Sequence, residues 1–181
     1  MQDYSKRIAD HLLNCGAVQL SPEKPFKWAS GWNSPIYCDN RITLSYPEIR
    51  SEITSRLIEK INTEVDDFDY IGGVATAGIP QASIIADRLN KPLIYVRPSP
   101  KSHGMKNQIE GNLEKESKCV VIEDLISTGG SSIKAVDVLR NEGAKVLGLF
   151  AIFTYGLSIA NENLNNANLQ YHYLSSYDQL L

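Results

Sequence analysis

The residues Val120-Val121-Ile122-Glu123-Asp124-Leu125-Ile126-Ser127-Thr128-Gly129-Gly130-Ser131-Ser132 decide how the rest of the chain is read. The run opens as a β-branched, apolar sequence, the pattern of a buried strand. Two adjacent carboxylates follow, then small hydroxyl residues and glycines. Ile133, Val136 and Leu139 then recur at helical spacing. The order is strand, tight loop and helix N-terminus. Such a loop aims backbone N–H groups and the positive end of a helix dipole at one point, which suits a phosphate. Gly129 and Gly130 permit close main-chain approach, while Ser127, Thr128 and Ser131 add hydroxyl donors.

The carboxylates narrow the ligand. A bare phosphate is repelled by Glu123 and Asp124, so something else must sit on them. Sugar hydroxyls or a bound metal meet that need. A ribose with a 5′-phosphate would span the stretch. There is no G-x-x-x-x-G-K-[ST] pattern and no lysine in the loop, which excludes a nucleotide P-loop. A Ser127, His103 and Asp124 hydrolase triad lacks the G-x-S-x-G elbow that would expose the serine. An ordinary strand-to-helix turn with two solvated acids is the plain alternative.

The chain of 181 residues is read as one domain, 1–181, with an N-terminal helix and capping segment over about 1–45 and a flexible loop over 98–111. Its 18 basic and 21 acidic residues give a net charge of −3, against broad nucleic-acid binding. No apolar run is long enough to cross a bilayer. Cys15, Cys38 and Cys119 show no C-x-x-C spacing and read as reduced thiols of a cytoplasmic protein. His11 and His172 lack metal-ligand spacing and read as surface residues.

In chain order, Met1 to Leu13 reads as an amphipathic helix. Phe26 to Arg41 carries turn signals at Ser30-Gly31 and Asn33-Ser34-Pro35 between short aromatic pieces. It fits a plain edge hairpin. Its aromatics and Arg41 also fit a cradle for a flat, anionic ring. Ser45 to Ile61 reads as a helix, with Ser45 and Glu48 as a capping box. Tyr70 to Val74 is a strand, followed by the small residues Ala75-Thr76-Ala77-Gly78 and a helix from Ile79 to Leu89. Small residues there permit close ligand approach to the main chain. Leu93 to Arg97 is another strand. Pro98 to Gly111 has neither helical nor strand periodicity, and Arg97, Lys101, His103 and Lys106 cluster there. Lys145 to Phe153 is a buried strand, Ser158 to Ala167 a polar helix, and Leu169 to Leu174 a closing strand. Strands alternating with helices imply an α/β fold with a mostly parallel central sheet flanked by helices. The loops after Val74, Val96 and Ile122 then share one rim, where such sheets bind ligands.

Together these segments resemble the orotate phosphoribosyltransferases of the type I phosphoribosyltransferase family. The similarity runs from about Phe26 to Phe153. It rests on the Glu123 to Ser131 motif, Phe26 to Arg41, Ala75 to Pro80, and Val96-Arg97 with Lys101, His103-Gly104 and Asn107 to Gly111. The resemblance implies a small hood built from N-terminal segments over the parallel sheet. It implies transfer of the ribose 5-phosphate of phosphoribosyl pyrophosphate (PRPP) to N1 of orotate, in pyrimidine biosynthesis. Mg²⁺ would be held mainly by PRPP, near Asp124, with no dedicated protein ligands. Arg97, Lys101 and His103 would contact the pyrophosphate, and these with Asp124 would be catalytic. Glu123, Asp124, Leu125, Ile126, Ser127, Thr128, Gly129, Gly130 and Ser131 would hold the ribose 5-phosphate. Ser127, with Tyr37, Cys38 and Arg41, would reach orotate. Thr76, Ala77 and Gly78 would form a pyrophosphate loop. A homodimer is implied, the loop around Lys101 acting across its interface. The chain departs from many relatives where Ala29, Ala77 and Pro98 stand in place of lysines, and at Thr154-Tyr155-Gly156, where some use an arginine. Many relatives also continue through a further helix beyond the segment matching Leu174.

Overall fold

The computed structural model describes residues 4–28, 33–99 and 107–180. Helix α1 (Tyr4–Asn14) is followed by the short strands β1 (Val18–Leu20), β2 (Phe26–Lys27), β3 (Asn33–Ser34) and β4 (Ile36–Cys38), then a 3₁₀ helix (Asn40–Ser45). The chain continues through α2 (Pro47–Glu64), β5 (Tyr70–Val74), α3 (Gly78–Leu89), β6 (Leu93–Val96), β7 (Ile109–Glu110) and β8 (Lys118–Ile126). It closes with α4 (Gly130–Asn141), β9 (Lys145–Thr154), α5 (Ser158–Asn166), β10 (Tyr171–Ser176) and a 3₁₀ turn (Tyr177–Gln179).

The main sheet runs β10-β9-β8-β5-β6-β7, with β8 paired on both sides. Its pairings are parallel except β6 with β7. Each face is covered. On one, Ile8 and Leu12 of α1, Ile53, Leu57 and Ile61 of α2 and Ile85 of α3 meet Val120, Ile122 and Phe150. On the other, Val136 and Leu139 of α4 and Leu164 of α5 meet Cys119, Val121 and Leu149. Both side-chain sets of β8 are therefore buried, which is why its sequence is an unbroken apolar run. Each large aliphatic so buried stabilises the fold by about 1.5–3 kcal/mol. Because β5, β6 and β8 are parallel, their carboxyl ends open on one rim.

Several elements differ from the sequence expectation. Ser45 ends the 3₁₀ helix, and Ser45 and Glu48 form no capping box. The N-cap is Tyr46, extended at φ −114° and ψ 96°, with no side-chain bond. Pro47 is the cause: it disfavours helical backbone in the residue before it and is preset for the first helical position. Within the stretch read as lacking any strand, Ile109 and Glu110 add an antiparallel edge to β6. The last strand begins at Tyr171 rather than Leu169, because the Leu169 N–H bonds back to the Leu164 carbonyl and finishes α5. The Phe26 to Ser34 hairpin forms, two residues per strand, and β4 pairs instead with β1. His172, read as a surface residue, is half-buried: its ring stacks on Phe150 at 4.8 Å, with the side chain 20% exposed. His11 bonds to Glu52 at 2.9 Å, and Arg7 pairs with the same carboxylate. The cysteines are free.

Candidate active site

β8 runs on past its carboxylates, so Glu123 and Asp124 are strand residues and the chain turns at Ser127. Gly129 caps α4 at φ 81°, a backbone conformation that disfavours side chains. A Cβ there would also press on Leu164 at 3.1 Å. From α5, the Asn163 amide donates to the Thr128 carbonyl at 2.9 Å. Helix α5 thus props the loop from behind. The first-turn N–H groups of α4 have no partner within the helix and carry the positive end of its dipole. Strand end, glycine cap and helix start together make an anion cradle.

The two carboxylates are unlike. Glu123 is 4% exposed. Its Oε1 accepts from the Asp124 N–H at 3.0 Å, and its Oε2 lies 3.1 Å from Ser132 Oγ and 3.5 Å from Ser131 Oγ. Burial drives its carboxyl well above the usual range, and the Asp124 charge and side-chain hydrogen bond push it further. Asp124 is half-buried. Burial raises its carboxyl too, while the hydrogen bond from Glu123 and the Leu125 N–H oppose that rise. Glu123 is the more enclosed member of the pair, and burial acts on it the more strongly.

Beside β8, strand β5 ends at Val74, the Ala75–Thr76 peptide is cis, and α3 starts at Gly78. A Cβ on Gly78 would lie 2.6 Å from the Ile122 carbonyl oxygen and 3.4 Å from Glu123 Cα. This glycine is required by the approach of helix to strand. Arg97 follows β6. Its N–H donates to the Gln108 carbonyl at 2.8 Å, and Gln108 Nε2 donates to the Arg97 carbonyl at 3.2 Å. Its guanidinium lies 3.5 Å from the Glu110 carboxylate. The two roots of the loop from 98 to 111 are thereby fastened together. Ala75, Arg97, Gln108, Ser131 and Lys134 border a cavity of about 230 Å³.

The N-terminal segment reaches the same rim through Asn40, whose Nδ2 donates to the Asp124 carbonyl at 2.7 Å. Next to it, Asp39 accepts from Arg41 Nε and Nη2 at 2.7 and 2.9 Å and from the Arg41 N–H at 3.1 Å. Those bonds from Arg41 hold the Asp39 carboxyl below its usual range. Arg41 itself remains 60% exposed. Tyr37 is exposed, its ring 5.7 Å from that of Phe26. The Cys38 side chain is buried in the core, which pushes its thiol up. Trp28 stacks on Tyr155 at 4.5 Å, and its Nε1 donates to the Ile36 carbonyl at 3.0 Å. The hood is thus docked on the end of β9.

Residues 46–164 match the phosphoribosyl transferase domain family. The orotate phosphoribosyltransferase of Cytophaga hutchinsonii is 58% identical over 179 residues, which is 99% of this chain and 86% of that protein. Its counterpart in Porphyromonas gingivalis is 50% identical over 181 residues, 100% of this chain and 86% of that one. The chain belongs to the orotate phosphoribosyltransferase family. The crystal structure of orotate phosphoribosyltransferase from Aeropyrum pernix matches the same fold at TM-score 0.85 and 33% identity, covering 96% of each chain.

In this orotate phosphoribosyltransferase family member, the expected site residues fall into three groups. Asp124 and Ser127 to Ser131 gather where β8 meets α4, with Leu125 and Ile126 as strand residues behind them. Thr76, Ala77 and Gly78 open α3 alongside. Tyr37 and Arg41 come from the hood, tied to β8 by Asn40. Lys101, His103, Lys106 and Ala29 lie outside the described residues. Sequence reasoning passed over Asn40, Asp39, Ser132, Trp28 and Tyr155. For Asp39 and Asn40 a signal existed: an acid and an amide directly before the arginine in Asp39-Asn40-Arg41.

Proposed function

We propose that this protein transfers the 5-phosphoribosyl group of PRPP to N1 of orotate, giving orotidine 5′-monophosphate and pyrophosphate in pyrimidine biosynthesis. The observation that carries the reading is the α4 cradle with the half-buried Asp124 carboxyl group at its edge. It occurs in a chain 58% identical to an orotate phosphoribosyltransferase. The cradle takes the 5-phosphate through the α4 N–H groups and the Ser127, Thr128 and Ser131 hydroxyls. Asp124 accepts from the ribose hydroxyls and faces the oxocarbenium character that develops at C1. Ser127, Tyr37 and Arg41 hold orotate, with Arg41 matched to its carboxylate.

As the C1–O bond breaks, negative charge builds on the departing pyrophosphate. Arg97 and Lys101 stabilise that charge, His103 donates a hydrogen bond or proton, and Thr76, Ala77 and Gly78 line the subsite. Deprotonated N1 of orotate is already a nucleophile, so no covalent enzyme intermediate is required. The loop over 98–111 closes to exclude water, which would otherwise hydrolyse PRPP. We assign this loop to the partner subunit's cleft in a homodimer of single-domain chains. Mg²⁺ would be held mainly by the oxygens of PRPP, close to the Asp124 carboxyl oxygens, whose chemistry suits a hard cation. When bound with PRPP, Mg²⁺ would neutralise charge on the diphosphate oxygens. Among the described residues no helix is long and apolar enough to cross a membrane. We assign the enzyme to the cytoplasm from its three unpaired thiols.

The test is to incubate the protein with PRPP, Mg²⁺ and a panel of bases, following each base and the pyrophosphate released. Orotate is consumed and adenine, guanine, hypoxanthine and uracil are not. Consumption of a purine in preference, or of no base, overturns the reading.

A further inference from the structure

We propose that Trp28 and Tyr155 are a positioning pair for the orotate subsite, their stacked rings setting the distance between the hood and the Ser127 turn. The inference rests on the function proposed above and concerns the two side chains that join the walls of that subsite. Each wall is tied to Tyr155. On one side its N–H donates to the Ile126 carbonyl at 3.2 Å, directly before Ser127. On the other its ring stacks on Trp28, with centroids 4.5 Å apart and planes 23° from parallel. Trp28 Nε1 donates to the Ile36 carbonyl at 3.0 Å, directly before Tyr37. The Cys38 N–H, directly after Tyr37, hydrogen-bonds to the Tyr155 hydroxyl.

The alternation of β4 explains how two rings can do this. The Asp39 N–H donates to the Ala17 carbonyl and the Ser21 N–H to the Pro35 carbonyl, both at 2.7 Å. The main-chain groups on that side of the strand therefore face β1. Those of Ile36 and Cys38 turn the other way, where a further strand would supply ladder bonds. Here Trp28 and Tyr155 supply them from their side chains. Tyr155 is 8% exposed and meets Phe153 edge-on at 6.0 Å, so its ring is backed by the core. Tyr37 thus sits between two anchored peptide units, and its ring and Arg41 beyond it take their place from the pair. The 5-phosphate cradle is braced separately, by Asn163 of α5. The bond to Ile126 is made by the main chain, so changing the Tyr155 side chain leaves it in place. The pair accordingly acts on orotate and spares PRPP.

The test uses the whole chain with Tyr155→Leu, Trp28→Leu, the double variant and Tyr155→Phe. The leucines remove the stack, and the phenylalanine keeps the ring without its hydroxyl. KM for orotate and kcat come from steady-state assays at saturating PRPP, and PRPP affinity from calorimetry without orotate. Each leucine variant should raise KM for orotate by about 2- to 12-fold, the worth of one aromatic pair. The kcat and the Kd for PRPP should stay within about twofold of wild type. The double variant should cost no more than the worse single one, because both remove the same contact. Tyr155→Phe should fall between wild type and Tyr155→Leu. If the two losses multiply, or if Trp28→Leu keeps its KM while Tyr155→Leu does not, Tyr155 acts on orotate by itself and the inference fails. Equal weakening of orotate and PRPP, the mark of a general packing role, also overturns it. If a leucine variant does not fold, Tyr155→Phe and Trp28→Phe decide, since each breaks one bond to β4. Both must raise KM for orotate with PRPP affinity held, or the inference fails. Wild-type protein that turns over no orotate with PRPP overturns the proposed function, and this inference with it. Wild-type turnover with the wrong variant pattern overturns the inference alone.

Discussion

Asn40 donates its side-chain amide to the backbone carbonyl of Asp124 across 2.7 Å, joining residues 84 apart in sequence. Asn40 is 2% exposed, so the bond is sheltered from water. It fixes the hood to the strand that carries the Asp124 carboxyl group. Replacing Asn40 with alanine leaves the carbonyl without that donor, which costs about 1–3 kcal/mol. We expect Asn40→Ala to lower the denaturant midpoint by a corresponding amount and to raise KM for orotate. Asn40→Asp sets a carboxylate against the carbonyl oxygen and is more damaging. Unchanged unfolding curves for both variants would remove the link.

Arg41 is a cation that the hood presents, and Asp39 holds its guanidinium by two side-chain bonds. Orotate differs from uracil by one carboxylate, so a charge-assisted contact to it is the natural discriminator. Losing such a contact costs about 1.5–3 kcal/mol, or about 10- to 100-fold in kcat/KM. Arg41→Ala should lower kcat/KM for orotate within that range and narrow the preference for orotate over uracil. Arg41→Lys recovers part, since an ammonium keeps the charge but loses the fork to Asp39. An orotate-to-uracil ratio untouched in Arg41→Ala would show that the carboxylate is read elsewhere.

Gly78 and Gly130 are both glycines at helix starts by the rim, yet they are glycines for different reasons. A Cβ on Gly78 meets the Ile122 carbonyl oxygen at 2.6 Å, an atom of the central strand. At Gly130 the nearest atom, Thr128 Oγ1, is 3.8 Å away. Gly78→Ala should therefore destabilise the protein by about 1–3 kcal/mol through overpacking. Gly130→Ala should leave the melting temperature nearly unchanged while weakening PRPP, since it adds a side chain to the first residue of the helix that forms the cradle. Thermal unfolding and PRPP titration of the two variants give opposite patterns. Equal losses of stability would refute the distinction.

These contrasts explain what the sequence made legible. Val120-Val121-Ile122 could be read as a buried strand because both of its faces are covered, and such strands carry no polar interruptions. The cradle was legible because its chemistry is local, within the thirteen-residue run from Val120 to Ser132. Glu123 and Asp124 looked equivalent because sequence adjacency says nothing about which carboxyl is enclosed. The Asn40 bond was hidden by its span. Ser45 and Glu48 had the spacing of a capping box, but Pro47 imposed an extended Tyr46 and moved the helix start. Ile109 and Glu110 form a strand only because the edge of β6 is there to receive them. Two residues leave no periodicity to detect.

His172 supplies a pH dependence whose sign can be worked out. Burial against Phe150 holds its pKa below the ordinary 6.5; Lys60 adds to this effect, and Glu64 at 3.6 Å partly opposes it. The folded chain thus releases this proton more readily than the unfolded one. Between the folded pKa and 6.5 the unfolded state binds more protons, so stability rises with pH in that window. The contribution is complete above about 6.5 and is lost as pH falls through the folded value. His172→Phe keeps an aromatic ring on Phe150 but cannot take up a proton. Wild type should therefore lose more stability than this variant between pH values on either side of that window. Denaturant unfolding at the two pH values measures the difference directly. Identical slopes in the two proteins would mean that His172 titrates alike in both states.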